Sequence, residues 1–189
     1  MEDKRVEKTK ALIKNTFLEL SKTSDIEKIT VKAICDHANI HRGTFYYHYL
    51  DVFDLAEKLE ISAAKRVAEA ILTHYNFDGE TSDLLENLFL CLKDYPKDTS
   101  LLFGNLKGNS SGKGLDYLYN TLKEASLPHW RAKSHITEEQ LDIIFNHTMY
   151  SIFHLLKLWE SKTVRMEEKD FRDLYNNIIT HGIYSYIYK

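Results

Sequence analysis

Only two prolines, Pro96 and Pro128, interrupt this chain of 189 residues, and glycine is scarce as well, with seven. Proline removes a backbone donor and clashes with the preceding turn, and glycine loosens a helix, so both punctuate helical runs. A chain with so few interruptions can carry long helices but lacks the turns that a many-stranded fold needs. An apolar fraction of 43% is ordinary for a globular core. The expectation is an all-α fold.

Apolar spacing then places the helices. Val6, Ile13, Phe17 and Leu20, flanked by Leu12, form a stripe at helical period over residues 4–22. A polar connection, 23–28, follows. Thr30 is placed to cap a short helix at 31–37, since its hydroxyl can accept from an otherwise unpaired backbone N–H. Ala38-Asn39-Ile40 makes a tight joint in which Asn39 suits a left-handed backbone. A second short helix covers about 42–47, and Asp51 is a cap for a long helix, 51–75.

Longer helices fill the remainder. Leu84, Leu85, Leu88, Phe89 and Leu92 mark one before Pro96, and the Gly- and Ser-rich stretch 105–114 reads as a mobile loop. A helix at 115–125 leads to Pro128 and an irregular segment through His135. Thr137 and Gln140 have capping-box spacing ahead of Leu141, Ile144, Phe145, Thr148, Met149, Ile152, Leu155, Leu156 and Trp159. A second stripe, Ile143, Tyr150, Phe153 and Leu158, means that this helix needs cover on more than one side. A last helix, 167–187, repeats the pattern.

Several function classes are disfavoured. No stretch approaches the roughly 20 apolar residues of a membrane span, and residues 1–10 are charged with no apolar run behind them. Cys35 and Cys91 read as reduced thiols, so a cytoplasmic location is expected. There is no Gly-rich phosphate loop after a strand, no G-x-S-x-G and no H-E-x-x-H. His147 and His154 lack a partner at zinc-site spacing, and the two cysteines lack Cys-x-x-Cys spacing. We therefore expect no enzyme, metal or cofactor.

The segment that carries chemistry is 29–55, ITVKAICDHANIHRGTFYYHYLDVFDL. Two short helices joined by a tight turn let one brace while the other enters a DNA major groove. Thr30 and Lys32 lie at the start of the bracing helix, where backbone N–H groups and an ammonium meet phosphate. On the second helix Arg42 suits bidentate contact with guanine, Gly43 permits close approach, and Thr44 can meet a base or a thymine methyl. Tyr46, Tyr47 and His48 supply further donors, while Phe45 and Tyr49, four apart, belong to the core. Charge is consistent but mild: residues 1–50 hold nine Lys or Arg against seven Asp or Glu, in a chain of net charge −3.

The runs TVKAICDHANI, RGTFYYHY and DVFDL resemble the TetR/AcrR family of bacterial transcription regulators over about residues 4–60. The resemblance implies a helix-turn-helix head at 1–50, completed by the start of the 51–75 helix, and a helical effector-binding and dimerisation domain at 51–189. It implies a homodimer on a palindromic double-stranded operator, and a repressor released by a small-molecule effector. Thr30, Lys32, Arg42, Gly43, Thr44, Tyr46, Tyr47 and His48 would line the DNA. One position departs: many members carry Lys where this chain has Val52, so a phosphate contact is expected to be missing there. Candidates for the effector pocket are Phe89, Leu92, Phe103, Leu106, Tyr117, Trp130, Phe145, Met149 and Phe153. Candidates for the dimer interface are Ile152, Leu156, Trp159, Tyr175, Ile179, Ile183 and Tyr186, the terminal helices pairing as a four-helix bundle. The alternative is a helical protein–protein adaptor, or a co-activator-type regulator without small-molecule induction.

Overall fold

In the computed structural model, residues 4–74, 86, 89–91, 93–103 and 111–182 are described. All regular structure among them is helical: α1 (Lys4–Ser21), a 3-10 turn (Ile26–Lys28), α2 (Val31–Ala38), α3 (Arg42–His48), α4 (Val52–His74), α5 (Pro96–Phe103), α6 (Lys113–Lys133), α7 (Glu138–Glu160) and α8 (Glu168–His181). The expected all-α class is what is found. Tyr75, Leu84, Leu85, Leu88, Leu92, Leu106, Ile183 and Tyr186 lie outside the described residues.

Local signals set the first helix boundaries. The Thr30 hydroxyl accepts from the Ala33 N–H at 3.1 Å, starting α2. Asn39 ends it in the left-handed region at φ 49°, ψ 51°, and the Ile40 N–H donates to the Cys35 carbonyl at 3.0 Å. Asp51 Oδ1 accepts from the Asp54 N–H at 2.8 Å, opening α4. α3 has only seven residues and could not persist alone; Phe45, fully buried, and Tyr49 pin it to the core. That core takes Ile13 and Phe17 from α1, Ile34 and Cys35 from α2, and Val52 and Leu55 from α4. The polar connection after α1 contains one turn that its composition hides: Ile26 is buried there, on the 3-10 turn.

α4 runs on from this head into a second layer, packing against α5 and α6. Its inward face is rich in alanine (Ala56, Ala63, Ala64, Ala68 and Ala70), which lets neighbouring helices come close. Gly114, near the start of α6, shows how close. A Cβ there would lie 2.7 Å from Leu102 Cδ2 and 2.9 Å from both the Cβ and the carbonyl oxygen of Glu60.

Two expectations need correction. Pro128 does not end its helix, since α6 continues through it to Lys133. The missing N–H leaves the Glu124 carbonyl without its partner, but both residues are exposed, so water can take its place. Leu127 and Trp130 on either side pack against the core, and Trp130 meets Phe145 with ring centroids 5.4 Å apart. The second correction concerns α7. Its start is as expected, with Gln140 N–H donating to Thr137 Oγ1 at 3.2 Å and Thr137 N–H to Gln140 Oε1 at 2.9 Å. However, the cover expected on more than one side is incomplete, since Ile143, Ile144 and Tyr150 are exposed.

Candidate nucleic-acid interface

Helical geometry divides α3 into two sides. Phe45 points inward, followed by Tyr49 just beyond the helix end, whereas Arg42, Gly43, Tyr46 and Tyr47 fall on the opposite face. All four of the latter are exposed, Tyr47 to 78% and Tyr46 to 55%. Thr44 and His48 are half-buried on the flanks, and the Tyr47 and His48 rings meet edge-on at 4.9 Å. Across the joint, Thr30 and Lys32 are exposed at the first turn of α2. Of the eight residues singled out in the sequence, four occupy the outer face of α3, two its half-buried flanks and two the exposed start of α2.

Nothing within 4 Å would meet a Cβ on Gly43, so the backbone of the first turn of α3 stands in open space. A long guanidinium, a bare backbone and two phenols side by side make a surface able to approach base edges and donate hydrogen bonds to them. This face does not pack on the chain's own core.

The start of α4 is chemically different. Val52 is buried, so this position supplies no cation at all. The Asp54 N–H is taken by Asp51, and the Leu50 N–H by Asp54 Oδ2 at 2.9 Å. Lys58 Nζ lies 2.8 Å from that same Oδ2. Partial burial would raise the Asp54 carboxyl, but the hydrogen bonds from Lys58 and Leu50 outweigh it and hold the group below the usual carboxylate range. Leu50, 78% exposed, and Phe53, 55% exposed, stand beside it as large apolar side chains that the sequence reading passed over. Their signal was available: both interrupt the polar edge expected of a helix start.

Most of the described residues expected to line an effector pocket are packed inside the core. Phe89, Phe103, Phe145 and Met149 are fully buried, and the phenyl rings pack on other rings: Phe89 on Trp159 and Phe171, Phe103 on Phe153, and Phe145 on Trp130. Their apolar bulk fills the core. Tyr117 instead lines a surface groove of about 570 Å³ between α4 and α6, with Lys65, Glu69, Leu72 and Thr121. Phe153 borders a smaller one, of about 260 Å³, between α6 and α7. Leu92 and Leu106 lie outside the described residues.

Three of the seven interface candidates lie inside the protomer. Ile152 and Leu156 are fully enclosed and Tyr175 nearly so, its hydroxyl 3.5 Å from the Thr148 carbonyl, so none of the three presents a surface to another chain. The most continuous apolar stripe of α7 is spent on the protomer's own core. Trp159 and Ile179 are partly buried against that core, and Ile183 and Tyr186 lie outside the described residues.

Compared with known proteins, the chain matches no family model and no curated protein. It is similar in structure to a Shewanella sp. PV-4 protein described as a "putative tetR family transcription regulator". The TM-score is 0.62 at 14% sequence identity, over 90% of this chain and 95% of that one. A likeness of that extent at so low an identity establishes a shared all-helical fold.

Proposed function

We propose that this chain is a DNA-binding transcription regulator that places α3 in the major groove. The observation that carries the reading is the outer face of α3, where Arg42, Gly43, Tyr46 and Tyr47 are exposed beside the exposed Thr30 and Lys32 of α2. Phe45 and Tyr49 hold that short helix rigid from behind. In this reading Arg42 and Thr44 meet base edges, while Thr30, Lys32, Tyr46, Tyr47 and His48 position the head on phosphates and the groove wall. The fold shared with the Shewanella protein, and the head motif in the sequence, support the same assignment.

The finer parts belong to the proposal too. The regulator works as a homodimer on a palindromic operator, with its reading helices about 34–36 Å apart or a multiple of that spacing. Pairing through the α7 face that bears Ile143, Ile144 and Tyr150 is supported by the exposure of those side chains. It acts as a repressor whose effector shifts the head separation by binding one arrangement better than the other.

The test is selection of a palindromic duplex from a randomised pool, followed by titration at several salt concentrations. Affinity should fall steeply as salt rises, because counterions are released on binding. Arg42→Ala should cost about 1–3 kcal/mol and relax base preference, whereas Lys32→Ala should weaken all duplexes alike and flatten the salt slope. A chain with no salt-sensitive binding would be read instead as a helical adaptor.

A further inference from the structure

Where α3 hands over to α4, the chain holds large apolar side chains out in solvent. Leu50 and Phe53 are both exposed there, three residues apart, and Tyr47 on the outer face of α3 precedes Leu50 by three more. This exposure is not fraying. Tyr49 and Val52, the neighbours in sequence on the inward side of each, are buried. The Leu50 N–H donates to Asp54 Oδ2 at 2.9 Å, and the Asp54 N–H to Asp51 Oδ1 at 2.8 Å. The backbone that carries both side chains is therefore fixed, and the apolar surface is displayed in one arrangement. Large apolar groups exposed together in this way mark a contact surface.

The corner's charges indicate what it can touch. Val52 supplies no cation, and Asp51 and Asp54 are carboxylates. Lys58 is already engaged, its Nζ 2.8 Å from Asp54 Oδ2 and 5.4 Å from the centroid of the Tyr49 ring. Such a corner has little to offer a phosphate. Between its phosphates, however, the edge of a DNA strand presents deoxyribose, whose C–H groups are neutral and apolar. A head that lays α3 in the major groove brings the far end of that helix, and the corner joined to it, against the groove wall. There an isobutyl group and a phenyl ring find apolar surface to cover.

We propose that Leu50 and Phe53 dock the α3–α4 corner on the deoxyribose edge of the duplex, supplying by apolar contact the hold that a cation would supply by charge. The inference rests on the DNA-binding function proposed above and adds to it a second kind of contact. Sugars are alike at every base pair, so this hold strengthens binding to all duplexes equally. It releases no counterions, so it leaves the salt dependence of binding untouched.

The test titrates the full chain with the selected duplex, and with a scrambled one, at several salt concentrations. Leu50→Ser combined with Phe53→Ser should weaken both duplexes about tenfold, the scale of losing partial burial of two apolar side chains. The salt slope and melting temperature should stay those of the parent. Leu50→Lys should steepen the logarithmic salt slope by about 0.9, the contribution of one added phosphate contact. Parent-like affinity in the double variant would overturn the proposal and leave the corner to a protein partner. A weakening confined to the selected duplex would mean base contact instead of sugar contact, and would overturn it too. Should the double variant lose stability, Leu50→Lys still decides, since an unchanged slope would put the corner out of reach of the strand. A parent that binds no duplex would remove the proposed function and this inference together, whereas a parent that binds no better than the double variant removes the inference alone.

Discussion

The head and the body of this protein reach stability by different routes. In the head, α1 to α3 and the start of α4 are mostly short, and a few large side chains anchor them; Phe17 and Phe45 are fully buried. In the body, α4, α6 and α7 run over 21 to 23 residues each, and their core is spread over many aromatic and aliphatic contacts. A small core leaves one face of each short helix free to meet another molecule. A distributed core can lose one contact and survive. The difference teaches that the exposed outer face of α3 depends on very few residues.

The sharpest way to break this comparison is Phe45→Ala. Removing a fully buried phenyl ring costs about 3–5 kcal/mol, and Phe45 is the one buried residue of the seven-residue α3. Hydrogen exchange should then rise across α1–α3 while the amides of α6 and α7 stay protected. Loss of protection in both halves together would mean that they fold as one unit and that the contrast is only one of appearance.

The same contrast governs what could be read in advance. Head boundaries rest on signals that act within three or four residues: the Thr30 hydroxyl on the Ala33 N–H, the left-handed Asn39, and the Asp51 carboxyl on the Asp54 N–H. Such signals are visible in a sequence because both partners are close in it. The body's questions are not local. Periodicity shows that α7 is apolar on two sides, but not which side meets its own chain: Ile152 and Leu156, read as interface candidates, are fully buried, and Ile144 of the same stripe is exposed. Pro128 reads as a terminator until its exposed position and the packing of Trp130 are known. Nothing local marks Glu60 as buried, because Ser111, which donates to its carboxyl, lies 51 residues away. The exposed outer face of α3 was legible for the same reason, and the packing of Phe89, Phe103 and Phe145 into the core was not.

A second prediction, smaller in effect, probes the body's outer face. Ile143→Asp combined with Tyr150→Ser alters two side chains that are 68% and 64% exposed, so the protomer should keep its helicity and melting temperature. If this face joins two copies, sedimentation should show dimer dissociation favoured by about 2 kcal/mol or more, the scale of an interface hot spot. Leu156→Ala, at a fully buried position, should instead lower the melting temperature and leave the association constant nearly unchanged. An unchanged dimer in the double variant would move the interface elsewhere.

The smallest expected effect returns to the head, at the corner where α3 hands over to α4. Asp54 sits below the ordinary carboxylate range because Lys58 and the Leu50 N–H outweigh its partial burial. A carboxyl depressed on folding contributes stability above its unfolded pKa and loses it as the pH falls through its folded pKa. Parent and Asp54→Asn should therefore differ at neutral pH by no more than about 1 kcal/mol, since the pair is close to solvent. Their melting temperatures should converge below about pH 4, where the unfolded carboxyl takes up its proton. A constant gap down to pH 2 would show that Asp54 acts through packing and its hydrogen bond to Leu50 alone. The head's acid sensitivity would then have to come from carboxylates elsewhere, and the α3–α4 corner would be held by shape, as the body is.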